Sequence, residues 1–258
     1  EEGDAGDEIA LGRVRPRLPR PMLGLLVLDT AFPRIAGDVG APATFAFPVR
    51  HAVVPGAGVD GVVHAADRAL LPRFVAAAHV LQEEGCIAIA TTCGFLAAWQ
   101  DELAAALDVP ILTSALLQWP LVQRTLPRAR RAGIVTYSAA ALAPAVLRAA
   151  GVPEGTPVEG VEPRGYFART IRNGAATVDP MRMCDDVLAA ARRLAARHPD
   201  LGAIVLECAN MPPYAEAVAH DLSLPVFDAV DLIGWFHAGI ARARGSGHQG
   251  RPWRVVPR

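Results

Sequence analysis

From residue 22 to about 243, short apolar runs alternate with longer stretches of helical periodicity, and this alternation constrains the fold more than any other feature. Strands are expected at 22–29, 49–54, 86–91, 110–113, 132–137, 157–161, 203–207 and 225–227. Helical patterns lie near 65–84, 95–107, 115–125, 139–150, 180–198, 212–221 and 229–243. A strand followed repeatedly by a helix requires crossover connections, hence an α/β fold built on mostly parallel sheet. Asp179-Pro180 is a strong helix start, a capping carboxylate followed by a proline at the first helical position.

The pattern also repeats. Gly85 opens the run Cys86-Ile87-Ala88-Ile89-Ala90-Thr91-Thr92, which ends at Cys93; Gly202 opens Ala203-Ile204-Val205-Leu206-Glu207, which ends at Cys208. Val109-Pro110-Ile111 and Leu224-Pro225-Val226 each place their proline seventeen residues after the preceding cysteine, and Gly24-Leu25-Leu26-Val27 matches Gly133-Ile134-Val135 in character. Two pseudo-symmetric lobes follow, 22–127 and 128–228, with a hinge near Pro127 to Arg131 and the helix 229–243 packing back. The flanks 1–21 and 244–258 are expected to be flexible tails.

Composition removes several function classes. The chain has 258 residues, is 52% hydrophobic and carries a net charge of -1, so it can bury a core and lacks the basic excess of a nucleic-acid binder. All 25 basic residues are arginine. Without a lysine neither Schiff-base chemistry nor a Walker-type phosphate loop is available. No dinucleotide fingerprint follows an expected strand, and the histidines form no metal-binding pair. No apolar run reaches the roughly 18 residues of a membrane helix. The arginines before Met22 resemble a signal peptide, but the run behind them is short and ends in Asp29, which reads better as a first strand. Four cysteines are too few for a disulfide scaffold, and a cytoplasmic location is expected.

Ligands of open parallel sheets bind beyond the carboxyl ends of strands, where Cys93 and Cys208 both fall. From facing lobes the two thiols would enter one cleft. One thiolate could then remove a proton from a carbon while the other thiol delivers one to the opposite face, the requirement of a racemase. A helix after each cysteine would tune its thiol toward neutrality. The competing reading, a small buried hydrophobe, is the better one for Cys86 within its strand and for Cys184 within a helix. A zinc site is not expected, since no Cys-x-x-Cys occurs.

Thr91-Thr92-Cys93-Gly94-Phe95 and Leu206-Glu207-Cys208-Ala209-Asn210-Met211-Pro212-Pro213 resemble the two cysteine motifs of the aspartate/glutamate racemase superfamily, which includes hydantoin racemases and arylmalonate decarboxylases. The resemblance covers roughly residues 22–240. It implies two similar α/β lobes with the active site between them, no cofactor, and Cys93 and Cys208 as the acid–base pair. Retention of both cysteines sets the chain apart from the decarboxylase branch. By the same resemblance Asp29, Thr92, Gly94 and Asn210 join the substrate site, with Thr136 and Ser138 at the strand end opening the second half. Asp29 reads equally as a turn former, and Thr136 and Ser138 as caps. Glutamate racemases place a histidine soon after the second cysteine, whereas Asn210-Met211-Pro212 stands here, which argues against glutamate as substrate.

The loop Thr30 to Pro48 reads as a lid, a dimer contact or a packed surface loop, and Arg34 within it as a partner for an acidic substrate or a solvated residue. The expectation is a cofactor-independent racemase or epimerase acting on a small-molecule carboxylate, as a possible homodimer with no nucleic-acid or membrane partner. Its rivals are a decarboxylase or cis-trans isomerase using one cysteine, and a small-molecule binder.

Overall fold

The computed structural model describes residues 21–244, except for the side chain of Arg244; apart from Pro21 and Arg244, the expected tails 1–21 and 244–258 lie outside the described residues. Strands β1 (Leu23–Leu28), β2 (Val49–Val54), β3 (Ala88–Thr91) and β4 (Ile111–Leu112) form one sheet in the order β2-β1-β3-β4. Strands β5 (Arg131–Thr136), β6 (Val158–Gly160), β7 (Leu201–Leu206) and β8 (Val226–Phe227) form a second in the order β6-β5-β7-β8. Every pairing is parallel, and the second order repeats the first strand for strand. The protein is therefore an α/β fold of two four-stranded parallel sheets flanked by helices.

The inner strands are almost wholly apolar because helices cover both faces of each sheet. All six residues of β1 are buried, as are all four of β3. Connecting and flanking helices are α1 (Leu71–Glu83), α2 (Gln100–Ala105), α3 (Trp119–Thr125), α4 (Pro144–Ala149), α5 (Tyr166–Asn173), α6 (Pro180–Arg197), α7 (Ala215–Leu222) and α8 (Ala229–Arg244). None is long and apolar enough to cross a membrane. The matched glycines have a packing reason. A Cβ on Gly24 would lie 3.0 Å from Leu81 of α1, and one on Gly133 would lie 3.0 Å from Leu194 of α6. At equivalent points of the two sheets, a helix leucine sits directly on strand backbone.

The last helix of each half packs against the opposite sheet. On α3, the indole N–H of Trp119 donates to the Ala132 carbonyl (3.2 Å), and Gln123 accepts from the Ala132 N–H (2.8 Å), both in β5. Reciprocally, α8 packs against β3, with His237 within 3.0 Å of the Pro21 carbonyl. The halves thus share a core through an exchange of helices.

Three local departures from the expected elements have physical causes. The helix expected at 139–150 begins only at Pro144, because proline holds Ala143 extended (φ -62, ψ 150). The segment after Cys93 runs as a 3-10 helix, Gly94–Trp99, before α2 begins, and after Cys208 a turn precedes a 3-10 segment, Pro212–Tyr214. Helix α5 lies in a stretch where no helix is expected; it is eight residues long and bounded by Gly165 and a left-handed Gly174 (φ 69). Cys86 precedes β3 and is buried against Gly24, and Cys184 lies on α6.

Candidate active site

Both cysteine motifs begin where an inner strand ends. Beyond β3, the Thr92 N–H donates to the Leu26 carbonyl (3.0 Å) and its hydroxyl accepts from the Leu28 N–H (3.2 Å), tying the motif to the neighbouring strand. The Thr91 hydroxyl donates to the Thr113 carbonyl at 2.6 Å. Beyond β7, the Glu207 N–H donates to the Val135 carbonyl at 2.8 Å, fixing Cys208 from the same sheet end. The strand ladders therefore set where each thiol points.

The two motifs meet in one small cavity of ≈ 30 Å³. Leu28, Val59, Val63, Phe95 and Ile171 supply its apolar wall, and Thr92, Tyr137, Glu207 and Asn210 its polar groups, with Cys93, Gly94 and Cys208 between them. Segment Asp60–His64 and α5 flank it from the two halves, joined by the exposed Arg172–Asp60 ion pair at 2.8 Å. Five of the eight expected site residues line this cavity: Thr92, Cys93, Gly94, Cys208 and Asn210. Thr136 lies one layer behind, donating to Glu207 Oε2 at 2.8 Å. Ser138 caps the following turn, accepting from the Ala141 N–H at 3.2 Å. Asp29 is exposed and accepts from the Gly56 N–H (2.9 Å), outside the cavity wall.

The loop 30–48 packs onto the second motif. Asp38, only 2% exposed, accepts from Arg34 Nη1 (2.9 Å), from the Gly40 N–H (2.7 Å) and from Asn210 Nδ2 (2.6 Å). The Cys208 thiol in turn donates to Asn210 Oδ1 at 3.6 Å, and the Val39 N–H donates to the Ala209 carbonyl. Arg34 is thus held by Asp38, which corrects its reading as a substrate partner or a solvated residue. A buried charge pair with every oxygen engaged specifies one loop position, since losing either partner strands the other. Neither Asp38 nor the chain of bonds from Arg34 to Cys208 is apparent in the sequence.

The electrostatics reverse one expectation. The thiols are not tuned toward neutrality: Cys93, 6% exposed, is pushed up to about 12 by burial and then by the neighbouring Glu207 carboxylate. Cys208 is raised well above its ordinary value for the same reasons in the same order. Opposing this, the N–H groups of Phe95 and Leu96 favour a Cys93 thiolate, and that of Asn210 a Cys208 thiolate. These short turns offer a few donors but no full helix dipole, so burial prevails. Both cysteines are neutral thiols near pH 7 in the ligand-free chain.

Glu207 is the site residue most clearly missed by sequence reasoning. It ends an otherwise apolar strand immediately before Cys208, and a charge at the carboxyl end of a buried strand is the signal that could have revealed it. It is 1% exposed, and burial raises its carboxyl to about 7 from an ordinary 4.5, against the lowering effect of the Thr136 hydroxyl. A carboxyl raised in the folded chain stabilises the fold while protonated. That contribution is complete below about pH 4.5 and is lost as pH rises through about 7. Glu207→Gln should therefore melt higher than the parent at pH 8, by roughly 2–4 °C per kcal/mol recovered. The difference should close toward pH 5, as read by thermal denaturation at both pH values.

A family model described as Asp/Glu/Hydantoin racemase matches residues 57–235. The chain belongs to this family. Among curated relatives, it is 26% identical over 229 residues to dimethylsulfoniopropionate lyase 5 of Emiliania huxleyi (strain CCMP1516), covering 84% of this chain but 45% of that protein. It is also 26% identical over 239 residues to the dimethylsulfoniopropionate lyase of Durusdinium sp. clade D, covering 87% and 76% of the two chains. The chain thus spans about half the length of the first of these relatives. Among solved structures, arylmalonate decarboxylase aligns with a TM-score of 0.56 at 20% identity, covering 90% of this chain and 96% of that one. Allantoin racemase from Klebsiella pneumoniae aligns with a TM-score of 0.59 at 18% identity, covering 86% and 88%. At these identities the structural matches establish the shared fold.

Proposed function

We propose that this family member is a cofactor-independent acid–base enzyme that removes the proton beside a carboxylate, with Cys93 and Cys208 as its working thiols. Its preferred substrate is a carboxylate bearing a cationic leaving group on the next carbon. The observation that carries this reading is the meeting of two buried thiols and a buried carboxylate in one cavity. For dimethylsulfoniopropionate, the substrate in the names of the curated relatives, a thiolate takes the C2 proton. The freed electron pair forms the C2=C3 bond, and the C3–S bond breaks with its electrons leaving on sulfur. Dimethyl sulfide and acrylate result, with net release of one proton.

The lining favours this substrate class over an acidic amino acid. Among the described residues no arginine or histidine lines the cavity, so a second substrate carboxylate would meet Glu207 without a counter-charge from them. A sulfonium, in contrast, suits a carboxylate and the rings of Phe95 and Tyr137. Because the leaving group departs neutral, it needs no acid. The developing charge at the substrate carboxylate needs hydrogen-bond donors, which the thiols, Thr92 and Asn210 offer.

One observation favours a second reading, racemisation: the two thiols come from topologically equivalent strand ends, one in each sheet. A single experiment separates the two. The protein is incubated in D2O with dimethylsulfoniopropionate and, separately, with single-enantiomer amino acids and hydantoins, and followed by proton NMR with headspace analysis. Acrylate and dimethyl sulfide whose formation collapses in Cys93→Ser support the lyase. Exchange of an α-proton with inversion, without elimination, supports the racemase. Folded, reduced protein that does neither overturns both.

A further inference from the structure

Glu207 carries a feature that the proposed reaction leaves unexplained. Its Oε2 is bonded to Thr136, but its Oε1 is buried and has no hydrogen-bond partner among the described residues. A buried, half-satisfied carboxylate is costly and calls for a reason. Glu207 reaches across to the other motif. A Cβ built on Gly94, the residue after Cys93, would lie 2.1 Å from Oε1. Glu207 also borders a second cavity, whose wall includes Thr91, Ser114, Ala229 and Ile233.

We infer that Glu207 is the proton acceptor for Cys93, so that the buried site holds one negative charge and passes it between oxygen and sulfur. The inference rests on the proposed base role of a thiol in this cavity. In the step, the S–H bond of Cys93 breaks, its electron pair stays on sulfur, and an O–H bond forms on Glu207. The thiolate then takes the substrate proton and becomes a thiol again. Glu207 afterwards releases its proton to solvent, which accounts for the one proton that elimination liberates. Nothing is oxidised or reduced.

Charge placement supports this order of events. The titratable groups facing Glu207 are Cys208 on its own segment, Cys93 beyond β3 and Tyr137 beyond β5; α8 contributes only the apolar Ala229 and Ile233. Among the described residues, no cation lines either cavity beside it. A Cys93 thiolate formed by losing its proton to water would leave two anions side by side in a buried space, the arrangement that holds the thiol neutral. Transfer to Glu207 creates the thiolate with no added charge.

The test needs no substrate, so it is independent of whether the lyase reading survives. Methyl methanethiolsulfonate, a small reagent that reacts with thiolates, is applied to the full chain across pH 5–9, and the modification rate of Cys93 is read by peptide mass spectrometry. In the parent, the rate should rise through an inflection near pH 7, where Glu207 loses its external proton. In Glu207→Gln that inflection should vanish. An inflection near pH 7 that persists in Glu207→Gln overturns the inference. Thr136→Val is the second variant. It removes the hydroxyl that favours the ionised carboxylate, so the inflection should move to higher pH; an unmoved inflection also overturns the proposal.

Discussion

Replacing Cys93 by serine should lower turnover by about 10²- to 10⁴-fold, the range expected when a positioned acid–base group is removed. The serine hydroxyl fits the space but gives up its proton far less readily than a thiol. Cys208→Ser is the informative companion. Elimination needs one base and expels a neutral leaving group, so a lyase should keep measurable acrylate production when the thiol that is not the base is replaced. Racemisation needs a group on each face, so either serine should abolish inversion while the surviving thiol still exchanges the proton of one enantiomer. Steady-state acrylate formation and α-deuterium exchange on the two variants decide between these patterns. Equal activity of both serine variants and the parent would remove the thiols from the mechanism. Cys86→Ser serves as a control, because Cys86 is buried against Gly24 and lies outside the cavity wall.

Much of the fold was legible because its causes are local. Strand-end cysteines, the Gly24 and Gly133 pair and the prolines seventeen residues beyond each cysteine lie in sequence where the duplicated sheets require them. The meeting of Cys93 with Cys208 also followed from pattern, since equivalent strand ends are where parallel sheets present their loops. What escaped depends on contacts that no local pattern encodes. Asp38 and Asn210 are 172 positions apart, and only the packed loop brings them within 2.6 Å. The direction of the thiol shifts turned on burial outweighing a few backbone donors, a balance set by the closed cavity and by Glu207. Helix α5 is hidden because its apolar face is short: Phe167, Ala168 and Ile171 are buried among arginines and threonine, too few positions for periodicity to stand out. Asp29 ends β1 where a ligand group could sit, but the turn at Gly56 takes its carboxylate.

Gly94→Ala should be the most damaging glycine-to-alanine change among the described residues. The added Cβ would lie 2.1 Å from Glu207 Oε1 and 2.6 Å from the Glu207 carbonyl oxygen. The carboxylate could rotate away, but the carbonyl belongs to backbone whose N–H is bonded to Val135 in the sheet. Relief therefore requires the two cysteine motifs to separate by several tenths of an ångström or more. Overpacking of this kind costs about 1–3 kcal/mol, so the variant should still fold, with a lower denaturation midpoint in urea. Activity should fall much further, by roughly 100-fold, because both thiols and the carboxylate lose their common alignment. Gly234→Ala is the matched control: nothing lies within 4 Å of its added methyl, and as a helical position on α8 it should be neutral or slightly stabilising. Full activity in Gly94→Ala would mean that the separation of the motifs is not critical to turnover. A large loss with a modest stability change would establish that the contact between the second motif's backbone and Gly94 sets the geometry in which the two cysteines work.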